Sequence, residues 1–254
     1  MRFVDAHCHL DDEQFANDLG AVLARASDAG VQTIITAGAD VASSRAAVAL
    51  AQEHENIDAV VGVHPEHAAT FDDAVLNAIR ALASQRQVVG IGEIGLDFYW
   101  TQNPPRAAQE RALLAQMDLA QELGKPVVIH DRDAHDAIIE IIQRRGGKPR
   151  GILHCFSGDL DMARRAIDLG FYISFAGNLT FKNARQLQEI ARALPLERLV
   201  IETDAPYLSP QRGARNEPAN VARVAAKIAE LKNIETSVVE QATTRNSQLL
   251  FGLS

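Results

Sequence analysis

Apolar residues along the chain follow two alternating rhythms. Eight short runs, Phe3–His9, Thr33–Ala37, Ala59–His64, Val88–Glu93, Val127–His130, Gly151–His154, Tyr172–Phe175 and Leu199–Asp204, read as strands. Between them apolar positions recur at helical spacing. Phe15, Leu19, Val22, Leu23 and Ala26 mark a helix within 12–29, an Ala-rich stretch covers 40–54, and Val75, Leu76, Ile79 and Leu82 share one face within 72–84. The best delimited helix follows Pro104-Pro105: its stripe is Leu113, Leu114, Met117, Ala120 and Leu123, and Gly124 with Pro126 ends it. Helices over 133–145, 159–169 and 183–194 repeat the plan. An irregular piece rich in Pro, Gly and Arg then runs from Ala205 to Pro218, and two more helical stretches broken at Asn233 finish the chain.

Strict strand–helix alternation with short connections implies parallel strands joined by crossover helices. Eight repeats favour a closed TIM-type (β/α)8 barrel over an open doubly wound sheet. No linker or low-complexity segment interrupts the pattern, so residues 1–254 are expected to form a single barrel domain.

Composition narrows the partners. At 254 residues and 47% hydrophobic content the chain can bury a large core, and no window approaches the roughly 18 uninterrupted apolar residues of a membrane span. The N-terminus enters a strand directly instead of a signal peptide, so a cytoplasmic protein is expected, with Cys8 and Cys155 as reduced thiols and Asn178-Leu179-Thr180 unglycosylated. The 25 basic against 33 acidic residues, net charge −8, include no basic run, which argues against a broad face for duplex nucleic acid. A nucleic acid held locally stays compatible with that balance, because two divalent cations would bring four positive charges to one point.

The active site of such a barrel forms at the C-terminal ends of its strands. Strand one ends in His7 and His9, strand three in His64, strand four in Glu93, strand five in His130, strand six in His154, and strand eight in Glu202-Thr203-Asp204. Only His54, His67 and His135 lie elsewhere. Strand side chains alternate faces, so His7 and His9 point the same way and can share one metal ion. Four imidazoles and two carboxylates exceed the needs of one catalytic zinc and suit two cations about 3.5–4 Å apart, with Glu93, on the middle strand, as the bridge. The string Gly90-Ile91-Gly92-Glu93-Ile94-Gly95 also matches a dinucleotide fingerprint. It runs on into Leu96-Asp97-Phe98-Tyr99-Trp100 instead of opening a helix, so its glycines are read as places of close backbone approach.

These motifs together resemble the TatD-like metal-dependent hydrolases, within the wider amidohydrolase-type barrels. The resemblance spans essentially the whole chain. It rests on Asp5-Ala6-His7-Cys8-His9-Leu10, Gly62-Val63-His64-Pro65, Gly92-Glu93-Ile94-Gly95-Leu96-Asp97, Ile129-His130, His154-Cys155-Phe156-Ser157-Gly158, Ile173-Ser174-Phe175 through Thr180-Phe181-Lys182-Asn183, Glu202-Thr203-Asp204-Ala205-Pro206-Tyr207-Leu208, and Thr244-x-Asn246 before Leu250-Phe251. It implies two divalent metal ions, magnesium or manganese for activity with zinc an option: His7, His9 and Asp204 hold one, His130 and His154 the other, and Glu93 bridges. It also implies a deoxyribonuclease working from the 3′ end of single-stranded or frayed DNA, with a water activated between the cations and Asp204 relaying its proton.

Further residues suit the substrate. His64 is placed to meet a phosphate or to cap its strand end; Arg132, Arg212 and Arg215 are candidate phosphate clamps; Phe98, Tyr99, Trp100 and Tyr207 are candidate base-stacking rings. One departure from the family pattern is Ala214, where a lysine is common. No protein partner or membrane is implied, and a monomer is expected. The competing readings are a binuclear amidase or lactonase of a small substrate, many of which use a carbamylated lysine that the assigned strand ends here lack, and a non-catalytic metal-binding scaffold.

Overall fold

The computed structural model describes residues 2–253. Eight strands, β1 (Phe3–Cys8), β2 (Val31–Ala37), β3 (Ile57–Val61), β4 (Val88–Asp97), β5 (Val127–Arg132), β6 (Gly151–Leu153), β7 (Tyr172–Phe175) and β8 (Leu199–Ile201), pair in sequence order. All seven ladders are parallel. Between β8 and β1, Asp204 N donates to His7 O at 2.9 Å and His9 N to Ala205 O at 2.7 Å, so the sheet is a nearly closed barrel.

Helices α1 (Leu19–Asp28), α2 (Val41–Glu53), α3 (Asp73–Ala83), α4 (Arg106–Leu123), α5 (His135–Arg144), α6 (Leu160–Asp168) and α7 (Arg185–Ala193) fill the crossovers, and α8 (Val221–Lys232) and α9 (Thr236–Phe251) follow β8. The boundaries have local causes. Asp12 caps a 3₁₀ turn, Glu13–Phe15, so α1 begins at Leu19 and not at residue 12. Gly124 and Asn233 end α4 and α8 in the left-handed conformation that Gly and Asn adopt most readily.

Period-two alternation splits the core into two layers. Ile34, Ala59, Val61, Val127, Ile129, Leu153, Ile173, Leu199 and Ile201 belong to the large cluster between sheet and helices. Their neighbours Ile35, Val60, Val128, Ile152, Tyr172 and Val200 form the barrel interior with Leu250 and Phe251 at the end of α9. The closing Leu-Phe pair therefore packs on the barrel axis, away from the mouth where the strands end.

Six of the eight strand C-termini differ from the sequence expectation: β1 stops at Cys8 and β6 at Leu153, each one residue short of a histidine, and β5 runs on to Arg132. β3 stops at Val61 and leaves His64 outside it, capping the 3₁₀ turn Pro65–Thr70, and β8 stops at Ile201, so Asp204 stands in a turn. β4 runs on to Asp97, which places Glu93 within the strand and the whole glycine string along it, with no helix at its end.

Candidate metal centre

The centre grows from β1. Its register against β2 shifts between Asp5 and Cys8, and His7 and His9 converge with their Nε2 atoms 3.2 Å apart. His9 Nδ1–H donates to Ala37 O at 3.2 Å, which turns its Nε2 toward the site. Asp204 comes to the same pair across the seam: its Oδ1 lies 3.7 Å from His7 Nε2 and 3.5 Å from His9 Nε2.

Glu93 reaches the middle because β4 and β5 approach very closely. A side chain at Gly92 would meet Val128 Cβ at 2.6 Å, and one at Gly95 would meet His130 O at 1.9 Å, so only glycine permits the spacing. The Glu93 carboxylate then divides. Oε2 lies 3.4 Å from His7 Nε2 and 3.6 Å from His9 Nε2, whereas Oε1 lies 2.7 Å from His130 Nδ1, 3.0 Å from His154 Nε2 and 3.5 Å from His64 Nε2.

Two buried carboxylates orient the far imidazoles. Asp97 Oδ2 accepts from His130 Nε2 at 3.2 Å, and Glu202 Oε1 accepts from His154 Nδ1 at 3.2 Å and from Cys155 N at 2.6 Å. Both lie in motifs noted in the sequence, but neither was assigned a role there, since nothing in a linear pattern tells a ligand from the group that holds the ligand. Buried Gln109 and Gln116 on α4 carry no such signal. They clamp the backbone at Asp97 and Val63, the segments bearing Asp97 and His64.

Ionisation follows from packing opposite charges out of water. Burial alone would drive His9 neutral; the Asp204 hydrogen bond and the Glu93 and Asp204 charges outweigh it and raise the pKa to about 9. His64 goes the other way. Burial, together with the neighbouring His130 and His154, pushes it down to about 3 against the attraction of Glu93, leaving a neutral imidazole. Glu93 is held well below the usual carboxylate range, because the imidazoles around it outweigh its burial, and Asp204 is lowered for the same reason.

The donors fall into three convergent groups, His7/His9/Asp204, His7/Glu93/His154 and His64/Glu93/His130, with ligand atoms within 4.8 Å of one another in each. Imidazole nitrogens and carboxylate oxygens at this density are a donor set suited to divalent cations. The cleft above them measures about 620 Å³ and is lined by seven carboxylates, those of Asp11, Asp12, Glu66, Glu93, Asp97, Asp131 and Asp204, against one arginine, Arg132.

The substrate candidates separate. His64 both caps its turn, accepting from Glu66 N at 3.3 Å, and faces Glu93. Arg132 lines the cleft with its guanidinium 4.1 Å from the Tyr99 ring and 5.2 Å from Trp100. Tyr207 also lines it, its ring 6.0 Å from that of His9 and its hydroxyl donating to Asp12 at 2.9 Å. Among the described residues the exposed aromatics are Tyr99, Trp100 and Tyr207, and all three lie on mouth loops. Phe98 instead packs under Arg106, beside a separate groove.

Arg212 and Arg215 do not line the cleft. Arg215 is bound to Asp18 at 2.7 and 2.8 Å and to Glu217 at 3.0 Å, so its fork is already filled, and Arg212 is exposed on the segment after β8. Ala214, where a lysine is common in the family pattern, is exposed and does not line the cleft. Asn178 lines the cleft 3.8 Å from Cys155 Sγ, and both cysteines are free.

A histidine and carboxylate cluster at the mouth of a (β/α)8 barrel is the kind of site on which metal-dependent hydrolases are built. Residues 4–252 match the family model described as TatD related DNase. The chain is 38% identical to the Bacillus subtilis metal-dependent hydrolase YabD, over 98% of this chain and 99% of that one. It is 37% identical to a Klebsiella pneumoniae protein named 3′-5′ ssDNA/RNA exonuclease TatD, over 98% and 97% of the two chains. The crystal structure of YjjV, a TatD homologue from Escherichia coli, superposes with a TM-score of 0.93 at 33% identity, covering 100% of this chain and 99% of the other. The chain belongs to the TatD family, and is a hydrolase of ester bonds that depends on divalent metal.

Proposed function

We propose that the protein is a two-metal exonuclease that removes nucleotides from the 3′ ends of single-stranded or frayed DNA. The observation that carries this reading is the divided carboxylate of Glu93, one oxygen facing His7 and His9 and the other facing His130 and His154. His7, His9 and Asp204 would hold one cation, His130 and His154 the second, and Glu93 both; His64, whose Nε2 stands 3.5 Å from the same Glu93 oxygen, is a further donor to the second group. Bound there, divalent cations would lower the pKa of a water and neutralise charge on the phosphodiester.

The chain's own residues supply the rest. Asp204, ionised and with its Oδ1 3.5 Å from His9 Nε2, is the carboxylate that accepts the proton of the attacking water. Asp97 and Glu202 keep His130 and His154 turned toward Glu93. Seven carboxylates outnumber Arg132 and the imidazoles of His9, His130 and His154 in the cleft lining, an acidic excess that bound cations would neutralise, so substrate and metal are taken up together. Tyr207 and Trp100 offer ring faces to unpaired bases, which favours single strands over duplex. No lysine lines the cleft, which counts against a carbamylated-lysine amidase or lactonase. Every donor comes from one chain, so the site is complete in a monomer.

The test is cleavage of end-labelled single-stranded DNA and RNA by metal-stripped protein with magnesium, manganese or zinc added back, beside Asp204→Asn. Stepwise shortening from the 3′ end that vanishes in the variant supports the reading. No cleavage by folded protein with any of the three metals refutes it and moves the substrate to a small ester or amide.

A further inference from the structure

Asp204 stands where the sheet no longer holds the chain. β8 ends three residues earlier, and Asp204 takes a φ of +57°, a left-handed conformation disfavoured for a residue with a Cβ. Such a conformation persists only where the surroundings over-determine it. Those surroundings centre on Asp5, a wholly buried carboxylate on β1. Its Oδ1 accepts from Thr203 N at 2.8 Å and its Oδ2 from the Thr203 hydroxyl at 2.5 Å. The same hydroxyl accepts from Ala205 N at 3.2 Å, so both neighbours of Asp204 are tied into one network. From the other side Asn216, also fully buried, donates to Thr203 O at 2.8 Å and to Tyr207 O at 2.7 Å.

A carboxylate removed from water is expensive in a barrel core, where an apolar residue would fill the space. What Asp5 adds is direction. It lies two residues before His7 on the same strand, so β1 and the residue that follows it present both the His7/His9 pair and the anchor for the carboxylate that faces them. We propose that Asp5, acting through the Thr203 backbone and hydroxyl, is a positioning residue that sets the Asp204 carboxylate against His7 and His9. The inference rests on the reading of Asp204 as a metal-holding, proton-accepting group.

Thr203→Val removes the hydroxyl at nearly constant volume, Thr203→Ser retains it, and Asp5→Asn replaces one acceptor by a donor. Each protein, stripped of metal, is titrated with Mn²⁺ by calorimetry; thermal midpoints are measured beside it, and kcat and KM are determined on end-labelled single-stranded DNA. Thr203→Val and Asp5→Asn are expected to weaken the tightest Mn²⁺ binding by about 10–100-fold and to lower kcat by a similar factor with KM little changed. Thr203→Ser should recover both. Wild-type Mn²⁺ affinity in folded Thr203→Val, with only the midpoint lowered, overturns the proposal and makes Asp5 a stabiliser of the seam. If Asp5→Asn does not fold, the Thr203 pair decides. If wild-type protein binds Mn²⁺ but cuts no DNA, the nuclease reading fails while the Mn²⁺ affinities still decide the role of Asp5.

Discussion

Glu93 Oε1 stands 2.7 Å from His130 Nδ1 while the other oxygen of the same carboxylate faces β1. One side chain thus joins two donor groups, and its removal should affect both. Glu93→Gln is expected to lower hydrolysis by about 100-fold or more while leaving the barrel folded, since the change is isosteric. Turnover measured beside circular dichroism checks this; most of the activity surviving in a folded variant would remove Glu93 from the bridging role.

Chelation should silence the enzyme and manganese or magnesium should restore it. Because a cation binds the assembled site and not the unfolded chain, adding metal should also raise the thermal midpoint, increasingly with concentration. A midpoint indifferent to metal, in protein whose activity returns, would mean that the site assembles only around substrate.

Trp100 is exposed at the rim and shares Arg132 with Tyr99. Trp100→Ala should weaken binding of single-stranded DNA by about 1–3 kcal/mol, the worth of one base on an aromatic face, with kcat at saturation nearly unchanged. Binding isotherms and steady-state kinetics separate the two; equal affinity for wild type and variant would leave the ring as local cover.

Arg215 is tied to Asp18 and Glu217. Its hydrogen bonds hold the pKa of Asp18 down, and Arg25 followed by Arg215 does the same for Glu217. Carboxylates with depressed folded-state pKa values contribute stability that is present above their unfolded value, about 4, and lost as pH falls through the folded value. Arg215→Ala should therefore lower the urea midpoint at neutral pH, and the gap to wild type should close below pH about 4. Unchanged KM for DNA is the companion expectation.

The fold and the donor inventory were legible in the order of the residues. The helix stops at Gly124 and Asn233 were readable because αL caps have a side-chain signature, and the barrel followed from eight strand–helix repeats. His7, His9, Glu93, His130, His154 and Asp204 were readable because residues at the ends of parallel strands share one face of the barrel. His64 and Asp204 were placed on strands that stop short of them, since composition does not mark the last ladder hydrogen bond: Val63 carries the apolar run past β3, and Glu202 and Thr203 follow β8.

Linear order therefore determined which groups meet: strand order and the C-terminal mouth are consequences of local periodicity and crossover handedness, both written into neighbouring residues. Only the tertiary structure decided what each group does on arrival. Asp97 and Glu202 emerged as the partners that orient His130 and His154, Arg215 as a tie to Asp18, and Asp5 as the holder of the turn that carries Asp204. These roles depend on distances of a few ångströms between atoms far apart in the chain. Such distances are set by the packing of the whole barrel, and no short stretch of sequence contains them.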